Sequence, residues 1–161
     1  MHVPFDQMPD TARLWVYQIS RSLTDEEVHF VARTTKQFLA QWQAHGNELR
    51  AAFEIKYHQF LILSVDESHN QASGCSIDSS VHLVQAIERE LGVSLMTSNQ
   101  VAFLREDGID LVPFNKLKEE VQREGIRPDT KVFDNTVKNL SEYRRKWLVP
   151  SETTWLNRYF K

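Results

Sequence analysis

The sequence has little of several residue types, and each shortage excludes a class of protein. The 161 residues include one cysteine, five glycines and five prolines. A single thiol, Cys75, cannot close an intramolecular disulfide, which excludes a disulfide-stapled miniprotein and predicts a reducing, cytoplasmic compartment. No stretch approaches the ~18 apolar residues of a membrane span, and the first residues lack the features of a signal peptide. We therefore expect a protein that is neither exported nor anchored, with no membrane partner.

Composition predicts one compact domain without a strong overall electrostatic field. Hydrophobic residues make up 41% and charged residues 25% of the chain, close to the average of globular proteins. The net charge of −3 argues against nucleic acid as a partner. The charge is uneven, however, because residues 123–161 carry a net +4 and residues 1–122 a net −7. The C-terminal segment is therefore suited to an acidic contact.

Hydrophobic periodicity and turn residues predict an α+β fold. A capping box from Thr24 to Glu27 begins a helix that Gly46 ends, and residues 51–65 predict two strands with a tight reversal near Tyr57. A second helix is expected over 77–91, followed by a hairpin over 101–112 and a short helix over 115–124. With the first strand at 12–19, this order matches a ferredoxin-like (split βαβ) antiparallel sheet with helices on one face, plus an extra C-terminal hairpin strand, helix and aromatic tail.

The same pattern predicts how the chain is organised. Residues 1–125 are expected to form the α+β domain, and residues 126–161 a C-terminal segment that wraps around the same domain. The tail is too apolar for a free linker. An exposed sheet edge could pair two copies into a homodimer, and the sequence leaves this open.

The polar loop after the predicted central strand contains a possible nucleophile. Cys75 lies near the start of the second helix, where the helix dipole and free amides stabilise a thiolate. His69 or His82 could act as its base, and Asp78 precedes His82 by four residues, a spacing that can orient an imidazole. The plainer interpretation is that these residues form an ordinary solvated helix face.

A second hypothesis takes the same helix start as an anion-binding site. The candidate ligand-binding residues are Ser73, Gly74, Ser76 and Ser79, whose hydroxyls and backbone amides could meet a phosphate or carboxylate. The alternative is that serine or Asp78 simply caps the helix.

Cofactor and metal motifs are missing from the sequence. It contains neither GxxxxGK[ST] nor a glycine-rich dinucleotide fingerprint, which excludes a P-loop ATPase. No two of the six histidines have the i, i+4 spacing of a helical metal site, and one cysteine cannot build a zinc ribbon. The sequence therefore predicts no metal site and no cofactor.

Aromatic and basic residues alternate near the C-terminus. Trp147, Trp155, Arg144 and Arg145 are candidate partner-binding residues, since tryptophan and arginine are enriched at interfaces. The same mixture occurs in single-stranded nucleic-acid binders. The alternative is that these aromatics are core residues that hold the tail on the sheet.

Six segments of the sequence carry a resemblance to other proteins: residues 3–5, 12–18, 45–47, 72–80, 147–150 and 155–160. Through them the chain resembles an uncharacterised family of small bacterial cytosolic proteins of about this length, some of which carry the name ABC transporter ATPase although they lack Walker motifs. The likeness covers nearly the whole chain. The resemblance implies a bacterial, cytosolic protein and supplies no activity.

Two functions from different classes follow. The first is a non-catalytic binding or regulatory module for a small anionic molecule or a protein partner. The alternative is a thiol-dependent enzyme that uses Cys75 with a nearby histidine.

Overall fold

A computed structural model describes residues 1–96 and 98–161 as a mixed α/β protein with antiparallel sheets. The strands are β1 Arg13–Gln18, β2 Gln43–Ala44, β3 Asn47–Glu48, β4 Arg50–Lys56, β5 Phe60–Asp66, β6 Gln100–Arg105, β7 Gly108–Pro113, β8 Lys131–Phe133 and β9 Leu148–Pro150. The α-helices are α1 Asp25–Gln41, α2 Gly74–Leu91, α3 Leu117–Gln122 and α4 Leu140–Lys146. Short 3₁₀ helices lie at Phe5–Gln7, Phe114–Lys116, Ser151–Thr153 and Trp155–Phe160.

The first sheet has the strand order β1–β5–β4, with antiparallel neighbours. Because side chains alternate between the faces of a strand, Leu61 and Leu63 of β5 point to one side and Phe60 and Ile62 to the other. The Leu61 face packs against α1 and α2, and the Phe60 face packs against the second sheet. Both faces of β5 are therefore buried.

The second sheet has the strand order β7–β6–β8–β9 and is also antiparallel. Ala102 and Phe133 face the first sheet, whereas Phe103 and Val132 pack against Leu117 of α3 and the C-terminal 3₁₀ helix. The structure thus has four layers: two long helices, two sheets, and an outer layer of α3 and the C-terminal turns. No helix within the two described ranges is long and apolar enough to cross a membrane.

Trp147 lies where the two sheets meet and is only 5% exposed. Its ring centroid lies 5.0 Å from that of Phe60 and 4.9 Å from those of Phe133 and Tyr143. Its indole N–H donates to Asn135 Oδ1 at 2.9 Å. The tryptophan therefore joins the C-terminal segment to both sheets.

Several sequence predictions agree with these elements. The Thr24–Glu27 capping box is present at the start of α1, and β4 reverses into β5 at Tyr57 and His58. Mixed α/β composition and antiparallel sheets are confirmed. Helix α2 begins at Gly74, three residues before the predicted start, because Ser73 caps it.

The complete ferredoxin-like arrangement is not confirmed, because the strand after α2 does not join the first sheet. In the described residues β6 pairs with β7 and β8, and the C-terminal segment supplies β8 and β9 to the same sheet. Residues 126–161 thus contribute two strands of a second sheet as well as α4 and the C-terminal 3₁₀ helices.

We expect Trp147→Ala to destabilise the fold by about 3–5 kcal/mol, because it removes a buried ring and leaves Asn135 without its donor. Trp155→Ala is the matched control and should cost less than about 1 kcal/mol, since Trp155 is 41% exposed. Urea unfolding of both variants measures the difference. Equal losses would mean that Trp147 does not hold the sheets together.

Candidate functional site

The start of α2 is closed by its own side chains. Ser73 Oγ accepts from the Ser76 amide at 3.1 Å, and Ser76 Oγ accepts from the Ser73 amide at 2.7 Å. Glu67 adds a carboxylate, which accepts from the Ala72 amide at 2.8 Å. Two of the serines predicted to bind an anion therefore bond to each other, and an acidic group already lies beside them.

The other two predicted anion-binding residues lie at the same end of the helix. Gly74 is exposed and begins α2, and exposed Ser79 donates to the Cys75 carbonyl one turn earlier. The Ser79 hydroxyl therefore points back along its own helix.

Cys75, Asp78 and His82 are all exposed on α2, and His69 is exposed in the loop that precedes the helix. None of the hydrogen bonds in the described part of the chain joins these four side chains to one another. The structure thus places the predicted nucleophile, bases and orienting carboxylate on one surface region without assembling them into a hydrogen-bonded unit.

The carboxylates at the end of β5 are held by neighbouring residues. Asp66 Oδ1 accepts from the Ser68 hydroxyl at 2.7 Å, and this hydrogen bond holds the pKa of Asp66 below its usual value. Asp66 also lies 3.5 Å from Arg50, and Glu67 lies 3.8 Å from Arg13. Within residues 1–96 and 98–161, no group of three His, Cys, Asp or Glu side chains lies close enough together to hold a metal ion.

The four predicted partner-binding residues are divided between two surfaces on either side of α4. Arg144 and Trp147 line one groove, and Arg145 and Trp155 line another. Arg144 forms an ion pair with Asp10, and Trp147 is a core residue. Arg145 and Trp155 are both exposed and lie on the same groove.

This second groove, the C-terminal groove, has a volume of about 740 Å³ and lies between α4, β9 and the C-terminal turns. Arg145 and Lys146 reach it from α4, Trp155 from the last 3₁₀ helix, and Asp134 from the loop after β8. The groove therefore combines two cations, one carboxylate and one exposed aromatic ring.

Aromatic and cationic side chains lie around the Trp155 ring. Its ring lies 6.0 Å from that of Phe114, which is 49% exposed. The Arg158 guanidinium lies 5.4 Å from the Trp155 centroid and 5.0 Å from that of Tyr159. Trp155 therefore presents a preformed aromatic surface beside cationic groups.

A chain of amide groups lies next to this surface. Gln18 donates to Ser98 Oγ at 3.0 Å and to the Gln100 carbonyl at 3.1 Å, and it accepts from Asn135 at 3.0 Å. Asn135 in turn accepts from Trp147. Gln18, Asn135 and Trp155 line a smaller cleft of about 190 Å³, which shares Asp134, Thr136 and Trp155 with the C-terminal groove.

Sequence reasoning did not single out Phe114 or Lys146 as site residues. Phe114 follows a strand that ends at Pro113, so its exposure depends on how the hairpin ends and not on periodicity. Lys146 ends α4 and belongs to a run of three basic residues, which is as typical of a solvated helix end as of a ligand site.

We expect Ser73→Ala to lower the free energy of unfolding by about 1 kcal/mol, because it removes the N-cap of α2. Ser79→Ala should change it by less than about 0.5 kcal/mol, since Ser79 is exposed and bonds only within its own helix. Urea titrations of the two variants test this. Equal stability of both would contradict a structural role for Ser73.

Comparison with known proteins does not assign this chain to a family. The chain matches no protein-family model, and no curated protein and no solved structure is detectably similar to it. The resemblance to small bacterial proteins stays a prediction, and a functional proposal must rest on the geometry of the grooves.

Proposed function

We propose that the chain is a non-catalytic binding module that holds a small anionic molecule with a planar ring in the C-terminal groove. The observation that carries this proposal is a set of cations without carboxylate partners beside an exposed aromatic pair. In the described part of the chain, no carboxylate oxygen lies within 4.0 Å of Arg145 or Lys146, the two cations that line the groove. Their charges are therefore available to a ligand.

The one acidic group in the groove is partly occupied. Asp134 Oδ1 accepts from the amide of Thr136 at 3.1 Å and from its hydroxyl at 2.5 Å. With Arg145 and Lys146 on the same groove, the lining charges sum to a positive value. An anion gains more from this surface than a cation does.

The aromatic pair determines the shape of the ligand. The exposed Trp155 ring lies 6.0 Å from Phe114, which lines the adjoining smaller cleft, and the two rings are tilted by 42°. Trp155 offers a π-surface on which a planar ring can lie, and such stacking adds to the burial of apolar area. A volume of about 740 Å³ is in the range of small-molecule pockets. A small molecule is therefore favoured over a protein partner.

Three probes separate the two halves of this recognition. AMP carries both a planar ring and a phosphate, adenosine carries only the ring, and inorganic phosphate supplies only the anion. By isothermal titration calorimetry we expect AMP to bind at least about tenfold more tightly than either fragment. Equal binding of AMP and phosphate would show that the aromatic pair has no part in recognition.

Arg145→Met should weaken AMP binding about tenfold, because it removes a cation that lines the groove. Arg33→Met is the matched control, because this substitution removes the same charge at a distant place. Arg33 is exposed on α1, which lies on the far side of the first sheet. If both variants lose equal affinity, AMP senses only net charge. If wild type fails to bind AMP at millimolar concentration, the proposal is overturned.

The alternative function is a thiol-dependent enzyme, and the exposed position of Cys75 in the first turn of α2 supports it. The two functions differ in how they depend on this thiol. After alkylation of Cys75, a module that uses the C-terminal groove should bind AMP unchanged. Loss of AMP binding in the alkylated protein would place Cys75 in the site.

For the fold, we propose that β1, α1, β4, β5 and α2 form a ferredoxin-like unit from which the fourth strand has moved to the second sheet.

A further inference from the structure

The groove that Arg144 and Trp147 line, on the opposite side of α4 from the C-terminal groove, has a volume of about 650 Å³. We call it the Glu54 groove. Its lining also includes Phe5, Asp6, Glu54, Lys56, Tyr57 and Tyr143. It is lined from β4, α4 and the 3₁₀ turn near the N-terminal end of the chain, so three separate parts of the fold build it.

Two opposite charges without ionic partners lie in this groove. Glu54 and Lys56 are two residues apart on β4 and so share one face of the strand. Glu54 is half-buried and accepts from the Tyr143 hydroxyl at 2.8 Å. Among the described residues, no ion pair involves Glu54 or Lys56, whereas Arg144 at the same groove is paired with Asp10.

The surroundings of Tyr143 keep its hydroxyl protonated, so that it donates a hydrogen bond to Glu54. Burial of the phenol, and next its hydrogen bond to Glu54, raise the pKa of Tyr143. The phenol therefore keeps its proton, and one oxygen of Glu54 is supported by a neutral donor. The other oxygen is available to a ligand, and a charge that is partly removed from water gains from an opposite charge placed beside it.

Aromatic rings line the same groove as the Glu54 carboxylate. Tyr143 lies 4.9 Å from Trp147 between ring centroids, with the rings tilted by 36°, and meets Phe5 edge-on at 6.1 Å. Tyr57, which is 43% exposed, lies 6.1 Å from Trp147. Aromatic faces beside a carboxylate attract an ammonium group, and the same faces cover an apolar side chain.

Backbone geometry at Tyr57 shows that its position is imposed. Tyr57 and His58 both have positive φ, +55° and +56°, in a two-residue turn that usually takes Asn-Gly. The turn is held by a His58–Asp25 contact of 2.9 Å and by the Leu23 amide, which donates to the His58 carbonyl. This hairpin turn therefore places the exposed Tyr57 ring in the lining of the Glu54 groove.

We propose that the Glu54 groove binds an apolar α-amino acid as its zwitterion. The ammonium group lies against Glu54, the carboxylate lies against Lys56, and the apolar side chain covers the Tyr57 ring. This site is separate from the C-terminal groove, and its test does not depend on AMP binding.

Charge complementarity favours a zwitterion over the other classes of small ligand. A simple cation is attracted to Glu54 and repelled by Lys56, whereas a simple anion is attracted to Lys56 and repelled by Glu54. A neutral ligand leaves both charges without a partner. Asp6 is exposed, so its charge is solvated and has little effect on which class of ligand the groove favours.

Ligand-observed NMR tests the proposal with a mixture of leucine, methionine, phenylalanine and tryptophan. At least one member should bind at millimolar concentration. Two blocked forms of that member, the N-acetyl derivative and the amide, remove the ammonium and the carboxylate in turn. We expect each blocked form to bind about tenfold more weakly.

Matched variants assign the two contacts. Glu54→Gln keeps the size of the side chain and should weaken amino-acid binding about tenfold. Lys56→Met should do the same, whereas Lys118→Met removes an equal charge from exposed α3 and should leave binding within about twofold. Circular dichroism of each variant checks that the fold is intact.

Three results would each overturn the proposal. The first is that no amino acid in the mixture binds to wild type. The second is that the amide binds as tightly as the free amino acid, which would make the groove a cation site. The third is full affinity in folded Lys56→Met.

Discussion

The contact between the two sheets is the constraint on which the rest of this structure depends. Phe60 lies on the inner face of the first sheet, and Phe133 meets it from the second sheet at 4.6 Å between ring centroids. Trp147 closes this cluster edge-on and hydrogen-bonds Asn135. Trp147 follows directly after α4, so the cluster holds the C-terminal end of this helix against the two sheets, and both grooves are lined from α4.

The two grooves differ in chemistry because α4 presents neighbouring residues to opposite sides. Arg144 faces Asp10 and the Glu54 groove, and Arg145 faces the C-terminal groove. The first groove contains unpaired charges of both signs, and the second has an excess of cations. A single helix of seven residues thus separates two surfaces that suit different ligands.

Local signals in the sequence accounted for much of the first sheet and its helices. The capping box at Thr24 and the unbroken apolar run of β5 depend on residues close in sequence, and both have the predicted structure. β8 was not predicted, because three residues, Lys131–Phe133, are too few for a periodic pattern. Its place in the sheet is set by long-range packing of Phe133.

The candidate sites were harder to predict for the same reason. Glu54 and Tyr143 are 89 residues apart, and nothing in either segment indicates that they meet. Trp155 was singled out as an aromatic residue among cations, and its exposure follows from the 3₁₀ turn that carries it. Trp147 has the same residue type and is also followed by leucine, and it is buried. Composition alone cannot separate two such tryptophans.

The late position of β8 and β9 in the sequence has a consequence for synthesis of the chain. While a ribosome is still making residues beyond about 125, the inner face of Phe60 and Ile62 has neither Phe133 nor Trp147 to cover it. The nascent protein thus exposes an apolar sheet face until the last quarter of the sequence emerges. A chaperone that binds apolar strands would have its longest opportunity during that interval, and translation pauses before residue 150 would lengthen it.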